Sequence, residues 1–284
     1  MEHSKLGGRL SSRFVAGLEL ADAVAAARRI HCQGLTVTLD HLGENVTQLE
    51  EAAACRDEGL RALAALKAAG LEANISIKLT QFGLDLDERV CRSNVECLVR
   101  AAAEQSGFVR VDMESSDYTD RTLRLVTDLH ARYGAVGAVI QAYLYRSESD
   151  IELLCQRRIR VRLCKGAYLE PPDKAFEHKT NVDRNFVRLM QRLLRTGVYP
   201  AIATHDERLI NETLRFAAAH GLAPDRFEFQ MLYGVRRDLQ RRLVARGYRV
   251  RLYVPYGVAW YPYFMRRLAE RPANVVFLAR NLFK

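Results

Sequence analysis

Residues 109–142 read VRVDMESSDYTDRTLRLVTDLHARYGAVGAVIQA. Val109–Met113 is a short run with β-branched residues at alternate positions. Tyr118–Tyr133 carries apolar residues at helical spacing, Gly134 stops that helix, and Val136–Ala142 returns to an apolar run. Strand, helix, glycine, strand is the unit of a parallel sheet.

The same rhythm continues in both directions. Strands are expected at Leu35–Leu39, Ala73–Leu79, Val109–Met113, Val136–Ala142, Arg160–Cys164, Pro200–Thr204, Phe227–Met231 and Val250–Tyr253. Helices are expected over Thr47–Ala69, Leu86–Gln105, Tyr118–Tyr133, Ser147–Gln156, Lys174–Thr196, Glu207–His220, Arg236–Arg246 and Tyr261–Glu270. Gly70, Gly134, Gly197 and Gly247 fall at helix ends, where a left-handed residue stops a helix cheaply. Eight such pairs in 284 residues predict an α/β fold, a closed (β/α)8 TIM-type barrel. A doubly wound open sheet is the alternative, but it usually has fewer strands. An N-terminal helix over Arg13–Arg29 and a C-terminal helix over Ala273–Phe283 complete the expectation. The division is residues 1–34 as an N-terminal segment and helix, and 35–284 as the barrel, in a single domain.

The chain carries a formal charge of +9, which favours acidic partners. No long Lys/Arg run or aromatic-rich basic motif accompanies it, so a nucleic-acid partner is not expected. The six cysteines form no CxxC pair, and no metal-ligand spacing such as HExxH occurs, so no metal is expected and the thiols read as reduced. Residues 1–8 lack the apolar centre of a signal peptide, and no apolar run reaches the length of a membrane span. A cytoplasmic protein, at most peripheral to a membrane, is the expectation. No GxGxxG, GxxxxGK[ST] or GxSxG occurs.

A barrel gathers its chemistry at the C-terminal ends of its strands. Lys78 ends the second strand; Asp112, Met113 and Glu114 lie on the third; Gln141 and Tyr143 on the fourth; Arg162, Lys165 and Tyr168 on the fifth. Thr204, His205 and Asp206 end the sixth, Glu228 and Gln230 lie on the seventh, and Tyr253 ends the eighth. Polar groups on seven strands are hard to read as solvated ends. Tyr263, Arg266, Arg267 and Glu270 share one face of the last barrel helix at i, i+3, i+4 and i+7. Two adjacent arginines can grip a carboxylate; the spacing fits an ordinary charged helix surface equally well. Residue positions thus give a barrel enzyme with a cationic mouth and an anionic ligand, but not the reaction. A lysine at a strand end, Lys78 or Lys165, also suits a Schiff-base aldolase.

The segments VRLCKGAY (Val161–Tyr168), ATHDE (Ala203–Glu207), FEFQMLYG (Phe227–Gly234) and YFMRRLAE (Tyr263–Glu270) resemble the motifs of the proline dehydrogenases. SIKL (Ser76–Leu79), VDME (Val111–Glu114) and QAY (Gln141–Tyr143) agree in order and position. The likeness runs from about Arg13 to Phe283. It implies a monofunctional bacterial enzyme that oxidises L-proline to Δ1-pyrroline-5-carboxylate, with FAD as cofactor and a membrane quinone as acceptor. It implies that Arg266 and Arg267 bind the proline carboxylate, with Lys78 beside them, and that Tyr253, Tyr263 and Leu232 wall the ring. Asp112 and Arg162 match catalytic or supporting positions. Met113, Gln141, Arg162, Lys165, Gly166, Ala167, Tyr168, Thr204, His205 and Gln230 match flavin-binding ones. Glu44 matches a gate that pairs with the first arginine, and Glu270 an ion-pair partner. The N-terminus looks short for the family, and Gly257–Trp260 is less polar than the resemblance leads one to expect. Oligomeric state is left open.

Overall fold

The computed structural model describes residues 13–43 and 46–261, with Tyr263 and Met265. Glu44, Arg266, Arg267, Glu270 and the expected C-terminal helix therefore lie outside the described residues.

Eight strands close into one parallel barrel in chain order. They are β1 (Thr36–His41), β2 (Asn74–Ile77), β3 (Phe108–Val111), β4 (Val136–Gln141), β5 (Val161–Cys164), β6 (Ala201–Ala203), β7 (Glu228–Leu232) and β8 (Arg249–Tyr256). Between them run α2 (Leu49–Ala68), α3 (Glu88–Glu104), α4 (Thr119–Tyr133), α5 (Ser147–Gln156), α6 (Lys179–Thr196), α7 (Glu207–Ala219) and α8 (Arg237–Ala245), preceded by α1 (Leu20–His31). The closure is the β1–β8 seam, where Thr36 to His41 pair residue for residue with Arg251 to Tyr256.

Strand alternation sorts the core. Val37, Leu39, Ile75, Ile77, Val109, Val111, Phe229, Met231, Val250, Leu252 and Val254 join one apolar cluster with the helices. Their neighbours Thr38, Asp40, Ser76, Arg110, Glu228, Gln230 and Arg251 are buried as well, yet polar or charged. Side chains on alternate residues point to opposite faces. The apolar set therefore faces the helices, and the polar set fills the barrel interior, where many barrels stack branched aliphatics.

The helices follow from local sequence. In α3 the buried residues Cys91, Val95, Leu98, Val99 and Ala102 form one stripe. Asp87 caps it by accepting from the backbone N–H groups of Arg89 and Val90, a cap worth about 1 kcal/mol. α4 ends at Gly134 with φ 71°, as the helix-end reading expects.

Four expectations need correction. The first helix starts at Leu20, not Arg13. Phe14 and Val15 leave its apolar stripe and pack with Leu42, Trp260 and Tyr263, on the far side of a break at Gly17. α6 starts at Lys179 rather than Lys174, because residues 174–176 pair with the turn after β4. Gly197 has φ −74° and is not left-handed; its absent Cβ instead leaves room beside the Leu193 carbonyl. β8 does not end at Tyr253 but runs on to Tyr256.

Candidate active site

At the C-terminal end of the barrel five strands bring a charged cluster together. Arg162 of β5 is its hub. Its Nη1 lies 2.6 Å from Asp112 Oδ1, its Nη2 donates to Ser76 Oγ at 2.9 Å, and its Nε donates to Gln230 Oε1. The guanidinium also lies 5.3 Å from the centre of the Tyr253 ring. Tyr253 donates its hydroxyl to Asp112 Oδ2 at 2.8 Å. Lys78 Nζ reaches the same hydroxyl at 3.5 Å and Asp40 Oδ1 at 3.3 Å. Five ionisable side chains from five strands thus share one network that is at least four-fifths buried at every carboxylate and cation.

The shared burial sets the protonation states. Burial raises the Asp40 carboxyl above its usual range, against the pull of Lys78. Burial opposes the Lys78 charge, but Asp40 and then Asp112 outweigh it and hold the ammonium above its ordinary value. Burial, with Asp112 and Asp40 adding to it, keeps the Tyr253 phenol protonated.

A second group lies at the ends of β4, β5 and β6. Gln141 is buried and donates to the Glu114 carbonyl at 2.9 Å. Lys165 bridges Asp183 at 2.6 Å and Asp206 at 3.0 Å. Burial works against the Lys165 charge, yet its hydrogen bonds to both carboxylates raise its pKa. Asp206 also caps α7 through the Arg208 N–H, so one residue fixes both the helix and the lysine. Thr204 is buried, and its Oγ1 accepts from the Asp206 backbone N–H. His205 Nε2 accepts from the Leu232 N–H at 2.9 Å. Met113 is buried, whereas Ala167 and Tyr168 are exposed on the loop after β5.

Gly166 opens that loop at φ 123°, and a Cβ there would sit 2.3 Å from the Tyr143 ring. Gly166→Ala is therefore expected to displace the loop from Tyr143. On the flavin-binding role that the resemblance implies for Gly166, it should lower the fraction of bound flavin severalfold, read from the visible absorption per chain. Retention equal to wild type would mean that the close approach is incidental.

Lys78, Asp112, Gln141, Arg162, Lys165, Thr204, His205 and Gln230 fall within the motifs quoted above. The family model described as proline dehydrogenase matches residues 23–280. The chain belongs to the proline dehydrogenase family. It is 42% identical over 280 residues to the proline dehydrogenase of Deinococcus radiodurans, covering 97% of this chain and 90% of that one. It is 40% identical over 279 residues to proline dehydrogenase 2 of Bacillus subtilis strain 168, covering 98% and 92%. Among solved structures it resembles proline utilization A (PutA) from Bdellovibrio bacteriovorus inactivated by N-propargylglycine. The TM-score is 0.87 at 26% identity, over 93% of this chain and 32% of that one. The agreement is thus with single-function proline dehydrogenases over nearly their whole length, and with one portion of the longer PutA.

At the barrel mouth, the residues that sequence reasoning placed at the rim divide into two levels. Lys78, Asp112, Arg162, Gln230 and Tyr253 do converge. Glu228 does not reach the rim: it is the first residue of β7 and lies deep in the barrel against Arg251 at 3.0 Å. Glu114 turns away to bond the Thr80 backbone and hydroxyl. Asp40 and Ser76 belong to the cluster and were missed. The signal was present in the alternation of Thr36, Thr38 and Asp40 along β1, which puts polar residues on the inner face of a strand otherwise apolar. Among the described residues no group of three or more His, Cys, Asp or Glu is placed to hold a metal. None of the described helices is long and apolar enough to cross a membrane.

Proposed function

We propose that this proline dehydrogenase oxidises L-proline to Δ1-pyrroline-5-carboxylate with FAD as the hydride acceptor and a quinone as the final acceptor, the first step of proline breakdown. The observation that carries the reading is the cationic cluster of Lys78 and Arg162 held by Asp40 and Asp112 at the mouth of the barrel. A buried cation at a strand end suits an anionic amino-acid substrate, and the phenol face of Tyr253 beside it suits an apolar ring.

The rim fits a flavin in the chemistry of its donors. Gln141, Arg162 and Lys165 bring side-chain N–H groups to adjacent strand ends, and the ring edge of a flavin offers oxygen and nitrogen acceptors. Gly166, with no side chain, lets the loop lie close over Tyr143. Met113, Thr204, His205, Gln230, Ala167 and Tyr168 complete the proposed cofactor side. When bound, FAD supplies the two-electron acceptor that no side chain can provide. The chain's own part is to bind and orient. Lys78, with Arg266 and Arg267, takes the proline carboxylate; Tyr253, Tyr263 and Leu232 wall the ring; Asp112 holds Arg162 and Tyr253 in place. Arg162 would help hold the flavin and would supply a fixed positive charge that favours its reduction. Glu44 and Glu270 are proposed partners of the arginine pair, Glu44 as a gate. The division into an N-terminal segment and a barrel from residue 35, and contact of the basic surface with a membrane that holds the quinone, belong to the same proposal.

The Schiff-base reading loses support from the geometry. It needs a neutral amine, and Lys78 and Lys165 are both paired with carboxylates that favour the ammonium.

The deciding experiment is anaerobic addition of L-proline to the purified, FAD-supplemented protein. The visible flavin bands are expected to bleach. Bands that persist on proline but bleach with dithionite would refute the substrate. Arg266→Ala and Arg267→Ala are each expected to raise the proline KM about tenfold or more, as loss of a charge-assisted carboxylate contact does. An unchanged KM would remove the arginine pair from the substrate site.

A further inference from the structure

Asp40 is the most enclosed charged group at the barrel mouth, with no side-chain exposure, and the reading above gives it no part in binding the substrate. Its oxygens lie 3.3 and 3.5 Å from Lys78 Nζ. The same Nζ lies 3.5 Å from the Tyr253 hydroxyl, which is itself committed to Asp112. A lysine ammonium has three N–H donors. Among the described residues one meets Asp40 and one meets Tyr253, which leaves a third for a ligand. The lysine side chain keeps 14% exposure, enough for a small anion to meet it.

We propose that Asp40 is a positioning residue that keeps Lys78 charged and fixed, so that its remaining N–H meets the carboxylate of the substrate. The inference rests on the proline reading above and deepens it. Asp40 acts through Lys78 and does not itself touch the substrate. A lysine at this depth with no carboxylate partner tends to lose its proton. It would also be free to change rotamer. The groups that face the Asp40–Lys78 pair are Asp112 from β3 and Tyr253 from β8, with Tyr168 of the β5 loop acting on the lysine. Asp112 is already held by Arg162 at 2.6 Å, so it is not a ready substitute partner.

The test is a double-mutant cycle on the flavin-loaded enzyme: wild type, Asp40→Asn, Lys78→Met and the two combined. Asp40→Asn alone is expected to raise the proline KM about tenfold or more, with a much smaller change in kcat. The loss should grow as pH rises from about 7 to 9, because the unpaired lysine deprotonates in that direction. In the Lys78→Met background the Asp40→Asn change is expected to cost less than about twofold. Independent, multiplying losses would overturn the proposal, since Asp40 would then act on its own or through the fold. A second readout uses the unmutated chain, labelled with 15N at lysine Nζ and assigned with Lys78→Met. The Lys78 signal is expected to remain that of an ammonium at about pH 9; a neutral amine there would also overturn it. If wild-type enzyme fails to oxidise proline, the substrate reading falls, while the labelled lysine, compared between wild type and Asp40→Asn at about pH 9, still reports on Asp40.

Discussion

Arg162→Met is expected to lower kcat/KM for proline by roughly a hundred- to a thousandfold, mostly in kcat. Removal of one fixed donor at a site of developing negative charge typically costs that much. Here the effect should lie at the upper end, because Arg162 is also the hub of the cluster. Its loss leaves Asp112 Oδ1, Ser76 Oγ and Gln230 Oε1 without the donor that each now has, and it removes the cation from the face of Tyr253. Lysine is not an adequate substitute. A guanidinium donates in three directions within one plane, whereas an ammonium is a point charge on a flexible stem. Arg162→Lys should therefore recover only a small part of the loss. Steady-state kinetics with a parallel thermal melt separate the two contributions. A rate loss with unchanged melting assigns Arg162 to the reaction. A melting loss with near-normal kcat would make the cluster a structural pillar and would sink its catalytic assignment.

The barrel was legible in the sequence because its signals are local. Gly134 after a helical period, and Val136–Ala142 after the glycine, each depend on a few adjacent residues, and the eight repeats support one another. The boundaries that failed depended on distant partners. Phe14 and Val15 look like part of an amphipathic helix until Leu42, Trp260 and Tyr263 are brought beside them. Residues 174–176 look helical until the β4 turn pairs with them. At the site, Arg162, Asp112, Lys78 and Tyr253 came from strand-end position and family likeness. Asp40 was harder to see, since Thr36–His41 reads as a simple buried strand unless the inner face is asked what neutralises Lys78. Glu228 failed for a related reason. Glu228 lies near the N-terminal end of a five-residue strand, and its register against Arg249 puts it at the lower end of the barrel.

That lower level carries the larger stability prediction. Arg251 is 5% exposed and Glu228 3%, and their atoms approach to 3.0 Å. Arg251 also bonds the Val37 carbonyl at 2.8 Å and Glu72 at 2.9 Å, tying β8 to β1 and to the start of β2. Arg251→Met would leave Glu228 buried among the Gln230 and Tyr199 contacts with its cation gone. Breaking a buried pair from one side costs about 3–5 kcal/mol, which for a chain of this size lowers the Tm by about 10 °C. The sign of the pH dependence distinguishes charge from packing. Burial tends to raise the Glu228 carboxyl, but Arg251 overrides it and holds the group below its ordinary value of 4.5. The wild-type pair thus contributes its full stability above that value and loses it as pH falls through the lower, folded one. In Arg251→Met burial is opposed only by the Gln230 hydrogen bond and the charge of Arg110, so the Glu228 pKa rises from its wild-type value and its penalty is relieved as it takes up a proton. The Tm gap between variant and wild type should therefore narrow between about pH 8 and pH 5. Adding Glu228→Gln to Arg251→Met should recover part of the loss at neutral pH, since a neutral amide removes the buried charge. A gap that stays constant with pH and is not rescued by the glutamine would mean that the missing arginine is felt through its packing and its bond to Val37.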